Sequence, residues 1–230
     1  PKWGGKILVL VFLGFAATDY LITMTLSAAD ATAHVIENPF TPASFQGQNV
    51  PITIFMLFVL TCVFLKGFGE AINLSVVLVS SFLFLNLIVV GNGLWVLVTH
   101  PHFVSDWHTA LFAQHSDPMM MIAISLIVFP KLALGLSGFE TGVAVMPQIK
   151  GGEGTQEERI ANRVKGCRRM LTVAALTMST FLVTSSIITT MLIPEEALQE
   201  GGEANGRALA YIAHHYMGNG IGTVYDIATI

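Results

Sequence analysis

The sequence predicts an all-α, polytopic membrane protein, and three observations carry that expectation. Only 26 of the 230 residues are charged, 11 basic and 15 acidic, about half the share found in a soluble domain. Asp, Glu, Lys and Arg are absent from Asn38 to Leu65, from Ala71 to Ser105 and from Met170 to Pro194. Each of those runs exceeds the roughly 20 residues that a helix needs to cross the hydrocarbon core. Mean hydropathy is +0.67. A net charge of -4, with basic residues clustered in one loop only, argues against nucleic acid as a partner.

Five spans account for the pattern, at about 7–27, 50–65, 70–98, 119–146 and 170–193, within a single membrane domain over 1–230. The basic residues test this layout independently, because Lys and Arg are retained on the cytoplasmic side. With the N-terminus inside, Lys2, Lys6, Lys66, Lys150, Arg159, Arg163, Lys165, Arg168 and Arg169 fall on inner flanks, Lys131 within a span, and Arg207 alone outside. The expected location is a plasma membrane, multi-pass, with the C-terminus external.

Taken in order, the first span follows Lys2 and Lys6 and stays apolar past Asp19, too long for a signal peptide. Lys66-Gly67-Phe68-Gly69-Glu70 is too polar for the middle of a lipid-facing helix and reads as a tight cytoplasmic turn between the second and third spans. The segments Asp30–Asn49 and His100–Asp117 read as ordered external loops with a short helix. The fourth span carries Pro130, Lys131, Gly135, Gly138, Glu140 and Gly142. That density of breakers and charge frees backbone groups that must be buried in protein or line a wet cavity. The stretch from Leu134 to Glu140 is therefore the expected site. Leu134, Gly135, Ser137 and Gly138 would offer backbone dipoles to a substrate, and half-helix ends would face a charged solute. In the fifth span, Thr177, Ser179, Thr180, Thr184, Ser185, Ser186, Thr189 and Thr190 are expected mostly to hydrogen-bond their own helix. The segment 194–230 forms an external, lid-like loop in which Asn205 caps a short helix that stops near Gly218.

At the fourth span the sequence resembles the amino acid/polyamine/organocation (APC) superfamily permeases, through Ser137-Gly138-Phe139-Glu140. Lys66 to Asn73 looks like their turn between the fourth and fifth helices, and Lys150 to Arg169 is similar to their loop between the sixth and seventh. The resemblance covers about the third to seventh transmembrane helices and the following external loop. It implies part of a five-plus-five inverted-repeat (LeuT-like) fold within a longer permease, whose missing helices complete the site. Pro1 in place of Met agrees with a fragment. The implied function is secondary active transport of an amino acid or related organic cation by alternating access, with H+ as a candidate coupling ion. Departures are Leu134 and Leu136 where relatives carry a bulky aromatic, and Met146-Pro147-Gln148-Ile149-Lys150 where they often carry two acids.

Glu140 and Asp19 are carboxylates at membrane depth, where burial raises a carboxyl pKa and suits gating or proton coupling. Lys131 is a possible ion-pair partner for either, although snorkelling to the interface is the favoured reading. The seven histidines all fall on the expected outer side and read as structural or solvated; His100-Pro101-His102 has no thiolate or His-Glu-x-x-His context, so no metal is expected. Asn219-Gly220-Ile221-Gly222 lacks the Lys-Ser or Lys-Thr of a phosphate loop, so no nucleotide or other cofactor is expected. Cys62 and Cys167 lie in different environments, which disfavours a bridge. Alternatives are a cation channel or potassium-uptake carrier of the same superfamily, and an intramembrane enzyme using Asp19 and Glu140; no recognisable catalytic motif supports the enzyme.

Overall fold

A computed structural model of the chain describes residues 3–114, 117–129, 142 and 145–230. Nine α-helices occur among them: α1 (Trp3–Ile36), α2 (Asn49–Lys66), α3 (Phe68–Thr99), α4 (His102–Gln114), α5 (Pro118–Val128), α6 (Gln156–Leu192), α7 (Glu195–Leu198), α8 (Ala208–Met217) and α9 (Asn219–Thr229). The described residues include no strand. Two compact units divide the chain, Pro1–Trp107 with Thr184–Ile230, and His108–Val183.

Among the described residues, three helices are long and apolar enough to cross a membrane: Trp3–Ile36, Ile72–Thr99 and Gln156–Leu192. None of the apolar window of the first is buried within the protein, against 17% and 6% for the others. Surfaces such as Leu8, Leu10, Phe12 and Leu13 on α1, or Val76, Val77 and Val79 on α3, therefore face outward. α2 is apolar but shorter; its 18 residues span about 27 Å, just under a hydrocarbon core of about 30 Å. The span expected at 119–146 begins as α5, which Asp117 caps by accepting the Met119 N–H at 2.9 Å. Most of its remainder lies outside the described residues.

Two boundaries differ from the sequence expectation. α1 runs on through Ile36, so Asp30–Ile36 is helix rather than external loop. The basic stretch expected as a loop to Arg169 is helical from Gln156. Thr155 and Glu158 explain the second difference by forming a reciprocal capping box. The Thr155 N–H donates to Glu158 Oε2 at 2.8 Å, and the Glu158 N–H donates to Thr155 Oγ1 at 3.3 Å. Two donors with no intrahelical partner are thereby satisfied, and the helix starts about four turns early.

In the first unit, α8 and α9 form a hairpin that packs against α1 and α3. Gly218 makes the turn with φ of 86°, in the left-handed region that glycine enters without a Cβ penalty. Buried apolar side chains concentrate here: Val89 and Val90 on α3, Ile212 and Ala213 on α8, Tyr225 on α9, and Ile188 near the end of α6. Ile188 sits against Gly93, where an added Cβ would come within 3.0 Å of its Cδ1. In the second unit the segment before α6 folds back along it. Asn162 donates to the Gly151 carbonyl at 3.1 Å and Arg163 Nε to the Ile149 carbonyl at 3.1 Å.

Candidate functional site

Leu134, Gly135, Ser137, Gly138 and Glu140, with Lys131, lie outside the described residues. Asp19 is described: it sits half-buried on α1, with its Oδ2 enclosed and without a hydrogen-bond partner among the described residues. No other predicted site residue is brought to it among the described residues.

The described residues that do converge are polar, buried and widely separated in sequence. Their centre is Asp226 on α9, which has no solvent exposure. His34 Nδ1 lies 2.9 Å from its Oδ1, and His214 Nε2 lies 2.9 Å from its Oδ2. Asn38 Nδ2 donates to Oδ2 at 2.8 Å. An Arg207 terminal nitrogen stands 3.3 Å from both oxygens. α1 and the residues just after it supply His34 and Asn38, Arg207 precedes α8, and α8 supplies His214. One carboxylate therefore joins three helices.

Local chemistry explains why the chain can close around this charge. The last carbonyls of α1 have no helical partners. Thr41 Oγ1 donates to Val35 O at 2.6 Å, Gln46 Nε2 to Ile36 O at 3.0 Å, and the other Arg207 terminal nitrogen to Glu37 O at 2.7 Å. Asn38 accepts the Phe40 N–H at 3.0 Å, turning the chain so that its amide meets Asp226. Arg207 also lies 3.6 Å from the half-exposed Glu37 carboxylate. Beside the cluster, Tyr225 donates its hydroxyl to Asn86 Oδ1 at 3.0 Å, and Asn86 donates to Phe82 O at 2.9 Å within α3. Tyr216 donates to Leu192 O at 3.2 Å, fastening α8 to the end of α6.

Electrostatics follow from these contacts. Burial by itself would raise the Asp226 pKa. Hydrogen bonds from His34 and His214, the Arg207 charge and the Asn38 amide outweigh it and hold the carboxyl below its ordinary value. Burial pushes the neighbouring Tyr225 hydroxyl well above its usual range, although the Asn86 hydrogen bond opposes the shift. With four partner side chains on its two oxygens, Asp226 has no lone pair left to act as a base or nucleophile. Its capacity is to hold. Next to it opens a cleft of about 290 Å³ lined by Glu37, Glu203, Arg207, Tyr211, His214 and Asn219, with Pro39 completing the wall. Among the described residues no group of three or more His, Cys, Asp and Glu is arranged to bind a metal ion.

Several sequence readings change here. Asn205 does not cap α8; its amide donates to the Gln199 carbonyl at 2.9 Å, and Arg207 occupies the cap position without a side-chain cap bond. The glycines after Gly218 do not end the helical structure, because Gly220 and Gly222 lie within α9. Gly222 is required by close approach: a Cβ there would overlap the His214 ring. The histidines divide between the two expected kinds, His34 and His214 being structural and His100 and His102 exposed. The threonine stripe of α6 bonds back as expected, Thr189 to Ser185 O at 2.8 Å and Thr190 to Ser186 O at 2.6 Å. Nothing in the sequence reading singled out Asp226. Arg207, the lone basic residue on the expected outer side, was the available signal, since an isolated Arg beside apolar spans calls for a buried acid.

Comparison with known protein families, with curated proteins and with solved structures gives no match for this chain.

Proposed function

We propose that the chain is a membrane-embedded portion of a secondary active transporter of the APC type, moving an amino acid or related organic cation by alternating access. The observation that carries this reading is the ordered series of sequence features. These are the Lys66–Glu70 turn, the Gly- and Pro-broken span with Ser137-Gly138-Phe139-Glu140, and the basic segment leading into the last span. The apolar, outward-facing surfaces of α1, α3 and α6 are consistent with it, because they need lipid or further helices around them. On this reading the N-terminus is cytoplasmic, and the α8–α9 hairpin sits outside as a cap clamped by Asp226. The partial five-plus-five inverted-repeat fold, the coupling to H+ and the roles of Glu140 and Asp19 belong to the same proposal.

Proteoliposomes holding the full-length protein test it through uptake of labelled amino acids with and without a pH gradient. Saturable uptake that increases with an inward proton gradient is expected, and Glu140→Ala should abolish the increase. Absence of uptake across a panel of amino acids and organic cations would overturn the transport assignment. Undiminished uptake in Glu140→Ala would remove that residue from the mechanism.

A further inference from the structure

A second cleft, of about 460 Å³, runs along α6 in the second unit. Val164, then Cys167 and Arg168, then Leu171 and Thr172, then Ala175 follow one another at a helical turn's spacing, so one helical face forms the floor, and Met146 stands on the opposite wall. The Cys167 thiol is buried and points to the Gly142 carbonyl at 3.6 Å, making it part of the wall rather than a reactive group.

The position of this cleft on the helix is its distinctive property. Arg168 and Arg169 are the last charges before the charge-free run that begins at Met170. They therefore mark the level where α6 enters hydrocarbon. Arg168 is the charged residue of the cleft's lining, with Val164 one turn before it and Ala175 seven residues further along, about 10 Å deeper. Lys165, Arg168 and Arg169 are exposed, and among the described residues none is ion-paired. Arg163 is already committed to the Ile149 carbonyl. The nearest acids on α6, Glu157 and Glu158, lie about 15 Å back along the axis, beyond about one Debye length at physiological salt, and Glu158 is engaged in the capping box.

We propose that this cleft seats an anionic phospholipid, its phosphate held by Arg168 in the lining, with the exposed Arg169 and Lys165 adding positive charge beside it, and the start of an acyl chain lying over Leu171 and Ala175. A cation at the interface, with a mostly apolar floor running on from it to hydrocarbon depth, matches a lipid in charge and direction. A soluble phosphate ester would leave the apolar floor uncovered. The inference needs only that α6 enters a bilayer and is independent of the transport assignment.

Native mass spectrometry of the purified protein, titrated with phosphatidylglycerol or phosphatidylcholine of identical chains, tests it without any variant. Preferential retention of phosphatidylglycerol is expected, and equal retention of the two overturns the proposal. Arg168→Gln with Arg169→Gln should weaken phosphatidylglycerol retention roughly fivefold per arginine and leave phosphatidylcholine unchanged; undiminished retention overturns it. Ala175→Trp fills the floor with the charges intact and should also lower retention. Full retention in that variant would reduce the effect to surface charge and remove the cleft from it. Displacement of the lipid by millimolar inorganic phosphate would reassign the site to free phosphate.

Discussion

The two ends of α1 obey opposite rules. Over its first part, Leu8, Leu10, Phe12, Leu13 and Phe15 are exposed, whereas its last turns bury Thr32 and His34 beside Ala31 and Ile36. The same inversion is seen on α3, where Val76 and Val79 face outward while Asn86 is buried against Tyr225. A chain organised for water would hide the leucines and expose the imidazole and the amide. Lipid makes the first arrangement tolerable, because hydrocarbon solvates leucine as well as a protein core does. It makes the second obligatory, because a polar group leaving water needs partners within the protein. Internal cohesion in the first unit is thus concentrated at the hairpin end, where buried side chains such as Val89, Ile188 and Ile212 lie beside the polar contacts of one carboxylate.

Asp226→Ala tests that contrast most severely. It leaves Arg207 buried without its acid and strips His34 and His214 of their acceptor, a loss of about 3–5 kcal/mol. Hydrogen exchange should show α8 and α9 unprotected while the apolar parts of α1, α3 and α6 keep their slow amides. Uniform loss across all helices would contradict the idea that the two regions are stabilised separately. Acid acts on the same group more gently. The folded Asp226 carboxyl titrates below its ordinary value of 3.8. Its contribution is therefore complete above pH 3.8 and is lost as pH falls through the folded value. Protection of α8–α9 attributable to this group should hold constant above 3.8 and fall only below it, and Asp226→Asn should remove that acid step.

Gly222→Ala forces a Cβ into the His214 ring and should destabilise the hairpin by about 1–3 kcal/mol, read as earlier thermal loss of α8–α9 protection. Tyr225→Phe removes the hydroxyl from Asn86 and leaves a buried amide oxygen unpaired, an expected loss of about 1 kcal/mol. Thr190→Val on α6 removes a hydroxyl that serves only its own helix and should change stability by less than about 0.5 kcal/mol. An effect as large as that of Tyr225→Phe would give the threonine stripe a role beyond back-bonding.

Much of the helical layout was legible from charge spacing alone. The turn at Gly67 lies between α2 and α3 as Lys66 and Glu70 indicated, and Gly218 ends α8. Helix ends set by side-chain reciprocity were harder to place. Thr155 and Glu158 look like ordinary polar loop residues until both bonds are seen, and Gly220 and Gly222 look like breakers until His214 is found against one of them. Asp226 was illegible for a stronger reason. Its partners His34, Asn38, Arg207 and His214 lie as many as 192 residues away, and of these Arg207 alone stands out in the sequence, without indicating which acid it meets.

The sequence by itself determined that long apolar helices alternate with polar turns, because whether a segment is apolar enough to cross hydrocarbon is a property of that segment. Only the tertiary structure decided which acid is neutralised, by which donors, and that α8–α9 closes against α1 and α3. A buried charge is stabilised by whichever groups reach it in space, and that meeting is set by the packing of helices.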